Sequence, residues 1–509
     1  MIGKYDIIPQ NFIKGVEMKI IAAAFVASIM AGCATNAPVI DCGYKSKSCK
    51  AANADSEGFV SIFNGKDLTG WVGATKTYGV DPNEPGVLQC FPDRSGEGGG
   101  GNLCTEKTYR NFILRFEFCL PTNGNNGLGI RMPDFNKDAA YHGMCELQLL
   151  DDGGSQYYNA KGGLDLLHAY QYTGSIYGII PSRRDNLGVQ TWSKEKTFTG
   201  GGSYVKKPGL WNFEEVRVIG SEIEVYLNGI LITKGDVSKF KGDGDTPDGK
   251  LHPGLHRTEG HIGWLGHGHN VKWRNIRIKE LPDDAKMSGQ CPCAVKNCPE
   301  GFTVLFDGKA EQLTANWKGV TTREKFDNPI VRQQARAKNP KKAADIQKFA
   351  DEHMVKHWFV RNGALFFDGL RGGYSLATKK DYKDFEMYVD WRILSPQGDS
   401  GLYLRGAPQV QIWDAHNMWH IGSGGLYNNK KNADKALVIA DNQVGSWNTF
   451  RIKMVGEKVT VWLNGKLVVD NTTLENYWDR TKPIFPVEQI ELQCHGDPVE
   501  FRNIFIKEL

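Results

Sequence analysis

Apolar and polar residues alternate with a period of two through ILRFEF (113–118), IEVYLNGIL (223–231) and VKWRNIRI (271–278). The same alternation returns in FEMYVDW (385–391), VTVWLNGKLVV (459–469) and VEFRNIFI (499–506). This period predicts antiparallel strands with one face buried. Asn228-Gly229 and Asn464-Gly465 each lie between two short apolar runs, where a two-residue hairpin needs positive φ at both central positions. Short strands, 59 glycines and little helical periodicity predict an all-β chain built as two-sheet sandwiches or jelly rolls. One stretch departs from this pattern. Between Gln333 and Trp358, Ala344, Ile346, Phe349 and Met354 recur at near-helical spacing and predict a helical insertion.

The strands occur twice in the same order. QIELQCHGDPVEFRNIFIKEL (489–509) and HIGWLGHGHNVKWRNIRIKEL (261–281) are identical at eleven of 21 positions, and GLWNFEEVRVIGSEIEVYLNG (from Gly209) aligns without a gap on GSWNTFRIKMVGEKVTVWLNG (from Gly445). Upstream, GFVSIFNGK pairs with GFTVLFDGK, NGLGIRM with SGLYLRG, CELQLLD with PQVQIWD and GSIYG with GGLYN. Two modules follow, residues 57–281 and 300–509, each long enough to bury its own core. A cysteine-containing linker, 282–299, joins them.

The N-terminal region changes the picture from a plain globular chain. Met18-Lys19, the apolar run IIAAAFVASIM and Ala31-Gly32-Cys33 read as a bacterial lipoprotein signal over residues 18–33, with Met18 as its start and Cys33 as the lipidated residue. Residues 34–56 then form a tether. Ala34 after the cysteine points to the outer membrane, and the expected location is the cell envelope, with the membrane engaged through the lipid. An oxidising compartment leads one to expect disulfides among the remaining ten cysteines. With 62 basic and 58 acidic residues and no basic runs, nucleic acid is excluded as a partner.

Candidate chemistry lies on the paired central strands. Glu146 and Gln148 share one strand face, with Asp151 on the other unless a bulge intervenes. Their counterparts are Gln409, Gln411 and Asp414, so the second module has an amide where the first has an acid, and an amide cannot act as a base. Arg131 and Arg405 end matching strands and are candidates for orienting sugar oxygens. His267 and His495 occupy matching His-Gly dipeptides and can exchange protons near neutrality. Tyr177, Tyr427 and Trp413, with Trp419, offer faces for stacking on sugar rings. Of the five histidines between His252 and His269 the second module keeps only the counterpart of His267, His495, and KGDGDTPDG (241–249) lacks the closing glutamate of a standard calcium loop. No metal or cofactor is assigned.

Together, GFVSIFNGK, TEKTYRNFILRFEF, NGLGIRM, ELQLLD, GSIYG, VYLNG and GHGHNVKWRNIRIKEL resemble the 3-keto-disaccharide (3-keto-glycoside) hydrolase domain family over 58–281 and again over 301–509. The resemblance implies two concanavalin A-like jelly rolls in tandem and cleavage of glycosides already oxidised to a ketone at carbon 3. Such a ketone acidifies the hydrogen on carbon 2, so a modest base can remove it, expel the group on carbon 1 and let water add. On this reading Glu146 or His267 is the base in the first module, with Asp151 nearby and Arg131 and Gln148 at the sugar oxygens. His495 and Asp414 are the candidates left in the second. Two other readings stay open: a conventional glucanase-like glycosidase, suggested by Glu146-x-Gln148-x-x-Asp151, and a non-catalytic glycan-binding lipoprotein.

Overall fold

A computed structural model describes residues 54–95, 100–159, 164–184, 203–287, 296–320, 338–369, 375–416 and 420–509. The signal segment with Cys33, most of the tether, Cys42, Cys49, Cys291, Cys293 and Trp419 lie outside the described residues. Among those described, every strand pairing is antiparallel, and the strands make two sandwiches of the same plan. In the first, an eight-stranded sheet runs Ile230–Asp236, Glu222–Leu227, Trp211–Ile219, Asn111–Cys119, Lys272–Leu281, Leu88–Cys90 and Tyr78–Val80, with Val60–Ser61 also paired to Lys272–Leu281. It faces a five-stranded sheet of Trp71–Gly73, Gly100–Thr105, His261–His267, Asn125–Met132 and Cys145–Leu150. The second sandwich repeats this with eight strands between Thr303 and Glu508 and a small sheet of Trp317–Val320, Ser375–Thr378, Glu491–Leu492, Asp399–Leu404 and Ala407–Trp413.

The period-two pattern sorts side chains between faces. Cys145, Leu147 and Leu149 point between the sheets into the first core, which leaves Glu146, Gln148 and Leu150 on the outer face of the small sheet. Both hairpins have the expected turn, with φ of 48° and 85° at Asn228-Gly229 and 52° and 81° at Asn464-Gly465. Each turn asparagine reaches back to accept a hydrogen bond from the neighbouring strand, at Phe213 N (3.0 Å) and Thr449 N (2.9 Å).

The predicted insertion is a helix at Pro340–His357, capped by Asn339, whose side chain accepts from Lys342 N at 3.0 Å. Its buried face is turned from the expected one. Ala350 and Met354 are buried while Ala344 and Phe349 are exposed, because Gln347 and Asp351 dock the helix to both backbone groups of Gly319. The disulfide expectation is not met where it can be seen: Cys90, Cys104, Cys119, Cys145, Cys298 and Cys494 are all free thiols. Cys90, Cys104, Cys145 and Cys494 are buried as small apolar residues.

The outer faces of the two large sheets meet each other. Phe213, on the first large sheet, packs into the core of the second sandwich. Glu57 bonds both Arg115 (3.0 Å) and Trp447 N (2.8 Å), Lys206 Nζ donates to Pro396 O (2.7 Å), and Arg361 donates to Gly229 O (2.6 Å).

Candidate active site

The outer face of the first small sheet forms a cleft of about 450 Å³. Its floor is Glu146, Gln148 and Leu150 with Asn125, Leu265, His267 and Asn102 from the adjoining strands. One wall is the segment from Asn136 to Tyr141, pinned where Asn102 Nδ2 donates to Phe135 O at 3.1 Å and where Asp138 caps the short helix Ala139–His142. The other wall holds Tyr157, Leu167, Gln171 and Tyr177. The hydroxyls of the three cleft tyrosines are tied down: Tyr141 to Lys250 Nζ (2.7 Å), Tyr157 to Asn123 O (3.1 Å) and Tyr177 to Gln171 Nε2 (3.1 Å). Their rings are therefore held as rigid sides of the cleft, suited to stacking on a sugar.

At the centre, His267 Nε2 lies 3.8 Å from Glu146 Oε1. This is a charge contact one step looser than a closed hydrogen bond. The glutamate side chain is only 7% exposed and the imidazole 45%, so a substrate meets the histidine first. Burial pushes the Glu146 carboxyl above the usual carboxylate range and the Asp138 charge adds to the rise, while His267 pulls it down. The carboxylate in turn raises His267, with burial opposing. Space for the carboxyl comes from Gly127 on the paired strand, where any Cβ would run into it.

Two acceptors on the floor, Gln148 Oε1 and Asn125 Oδ1, are buried with no hydrogen-bond partner among the described residues. Buried oxygens left this way are costly, and a ligand's hydroxyl groups would satisfy them. The pair thus combines a proton-exchanging imidazole, a buried carboxyl tuned by it and amide groups able to read a polyol.

Several predicted residues are placed elsewhere. Asp151 sits past the strand end and accepts from the backbone N of Asn123 (2.9 Å), a residue at φ 55°. Asp414 does the same for Gln397 N (2.9 Å) at φ 65°, so both aspartates brace strained turns, and neither shared face nor bulge describes them. Arg131 is buried away from the cleft, donating to the carbonyls of Arg110, Gly220 and Arg257, and burial lowers its guanidinium to about 10. Arg405 likewise donates inward, to Pro486 O at 3.1 Å. Trp413 is buried, with its indole N–H on Ile421 O (2.7 Å), whereas Tyr427 is exposed against its edge. Gln409 and Gln411 are bonded to each other on the second small sheet, and His495 stands beside Asp399.

The remaining candidates have local roles. His252 bonds Ala140 O (2.9 Å) and Asp248 (3.1 Å), and His261 bonds Thr105 O (2.8 Å). Among the described residues no three His, Cys, Asp or Glu converge on a point. In KGDGDTPDG, Asp245 and Asp248 are occupied by backbone N–H groups of their own loop. Sequence reasoning missed Asn102, Asn125, Tyr141, Tyr157 and Gln171, since only the cross-strand register and the wall segments bring them to Glu146.

Comparison with known proteins places both modules in one family. The family described as 3-keto-alpha-glucoside-1,2-lyase-like domain matches residues 58–279 and 301–507. A 3-keto-disaccharide hydrolase of Bacteroides thetaiotaomicron is 30% identical over 264 residues, covering 46% of this chain and 85% of its own length. Two solved structures from Parabacteroides distasonis ATCC 8503 that bear a provisional glycosyl hydrolase name share 27% and 25% identity. They cover 44% of this chain and 99% and 95% of theirs, each with a TM-score of 0.33.

Proposed function

The chain belongs to the 3-keto-alpha-glucoside-1,2-lyase-like family, and from that premise we propose that it is a glycosidase cleaving 3-keto-glycosides or 3-keto-disaccharides by elimination and hydration. The observation that carries this reading is the His267–Glu146 pair at the centre of an amide- and tyrosine-lined cleft. His267, the more exposed partner, removes the proton from carbon 2, which the neighbouring ketone has acidified. The carbon 1–oxygen bond breaks, its electron pair leaves with the aglycone oxygen, and that oxygen is protonated. Water then adds to carbon 1 of the enone and a proton returns to carbon 2. Glu146 holds the positive charge that His267 gains and so stabilises the transition state electrostatically. Gln148 and Asn125 bind sugar oxygens. A glucanase mechanism needs two carboxyls flanking the bond, and of Glu146-x-Gln148-x-x-Asp151 only Glu146 places its carboxyl in the cleft. The lipobox at Cys33 supports an exported enzyme anchored in the cell envelope, which radiolabelled palmitate and a Cys33→Ala variant would test.

The full chain is assayed in deuterated water with 3-keto-trehalose or a 3-keto-glucoside beside the unoxidised sugar. Cleavage of the keto sugar alone, with deuterium at carbon 2 and loss of roughly 10²- to 10⁴-fold in His267→Ala, is the expected result. Cleavage of the plain sugar overturns it, and saturable binding without cleavage makes the protein a glycan binder.

A further inference from the structure

The second module carries Gln409 where the first has Glu146, and on sequence alone this removes its acid. In space an acid stands one strand over. Asp399 begins the strand Asp399–Leu404 at the position that Asn125 holds in Asn125–Met132, paired across to Trp413 as Asn125 is to Leu150. The exchange is reciprocal: acid at 146 with amide at 125 in one module, amide at 409 with acid at 399 in the other. The histidine follows the acid. His495 Nδ1 is 3.4 Å from Asp399 Oδ2, with the imidazole 32% and the carboxyl 19% exposed.

A chain of two amides orients this acid. Gln411 Nε2 donates to Asp399 Oδ1 at 2.7 Å, and Gln409 donates to Gln411 Oε1, so the amide at the old acid position ends a chain that orients the new one. Gly401 leaves room beneath Gln409 as Gly127 does beneath Glu146. Tyr427, in the place of Tyr177, is 48% exposed and offers a ring to stack on. Each module thus pairs its shared histidine with a carboxylate, though from different strands.

We propose that the second module is a second working site for keto sugars in which Asp399 and His495 take the parts of Glu146 and His267. This rests on the proposed elimination reaction. His495 takes the proton from carbon 2, Asp399 balances the imidazolium, the carbon 1–oxygen bond breaks with its electrons on the leaving oxygen, and water adds to carbon 1.

The test uses the full chain. His267→Ala disables the first site, and the reduced turnover of the 3-keto-glucoside that it leaves, with deuterium still entering carbon 2, is expected to belong to the second. Adding His495→Ala or Asp399→Asn is expected to remove a further 10²-fold or more, while thermal unfolding shows each variant folded. Abolition of all turnover by His267→Ala alone overturns the proposal. Should the parent not cleave keto sugars at all, calorimetric titration with 3-keto-trehalose separates the two ideas. Two equivalents per chain falling to one in His495→Ala sustain the second site without the reaction, and a single equivalent unaffected by that change overturns both.

Discussion

Glu214 offers a sharp test of the energetics of the first sandwich. It lies on the inner face of the strand Trp211–Ile219, paired between Phe116 and Leu227. It is fully buried, and neither carboxyl oxygen has a hydrogen-bond partner among the described residues. Burial alone pushes its carboxyl from 4.5 to about 8. Burial therefore makes ionisation about 5 kcal/mol harder in the folded chain than in water. The native chain retains this proton between pH 4.5 and about 8 while the unfolded chain has lost it. Stability from this group is thus whole below pH 4.5, drains away across that window, and is gone above pH 8. Glu214→Gln keeps the shape and cannot ionise. The variant should match the parent at pH 5 and exceed it by on the order of 4 kcal/mol at pH 9, or roughly 10 °C in the unfolding temperature of a module this size. Phe450 holds the equivalent place in the second sandwich, so the second module's transition serves as the internal control. Calorimetric scans of both proteins from pH 5 to 9 decide the matter, and parallel curves would refute the reasoning.

Three further outcomes are expected. In Glu146→Gln the imidazole of His267 loses the charge that raises it, so its titration by NMR should move to lower pH and the acid limb of kcat/KM should move with it. An unmoved resonance would mean that the two groups are not coupled. Gly127→Ala has no unusual φ to satisfy but displaces the Glu146 carboxyl, and turnover should fall about 10²-fold with the fold retained, as circular dichroism would check. Arg131→Met leaves three carbonyls without their donor and should lower stability by about 2–3 kcal/mol without changing KM. A KM effect that exceeds the stability effect would return Arg131 to the site.

The strand pattern was legible because burial of one face forces a period of two, and because the Asn-Gly turns leave little choice of connection. The helix was legible in existence but not in rotation: apolar Phe349 faces solvent because Gln347 and Asp351 found the Gly319 backbone, a contact that hydropathy does not encode. Glu146, Gln148 and His267 could be singled out as polar residues inside apolar strands. Asp151 and Asp414 looked alike for the same reason, yet their repetition marked a shared turn rather than shared chemistry. Arg131 and Arg405 were misread because their positive φ, 51° and 47°, turns each side chain back under the sheet edge. Asn125 and Asp399 were aligned in the sequence all along, but their meaning depends on which strand lies beside which.

The way the sandwiches join explains which faces remain for chemistry. The interface consumes the outer faces of the two large sheets and is built from buried charge. Glu215 is bonded to Arg115 (2.7 Å) and Arg217 (2.6 Å), and Glu500 to Arg361 (2.6 Å) and Arg392 (2.5 Å). Burial opposes the charge on Glu215, but Arg217 and Arg115, joined by Arg392 from the other sandwich, hold its carboxyl far below the ordinary range. Each of these bonds lies within one sandwich, so removing one partner would strand a buried charge at the joint, at a cost of about 3–5 kcal/mol, while Trp447 N to Glu57, Lys206 to Pro396 O and Arg361 to Gly229 O are bonds that cross it. In each sandwich the small sheet lies across the core from the large sheet that makes the joint. That is the sheet at which His267 meets Glu146 and His495 meets Asp399. The duplication therefore sets the His267–Glu146 cleft on one face away from the joint and the His495–Asp399 pair on the other, so a substrate can reach the first cleft without parting the modules.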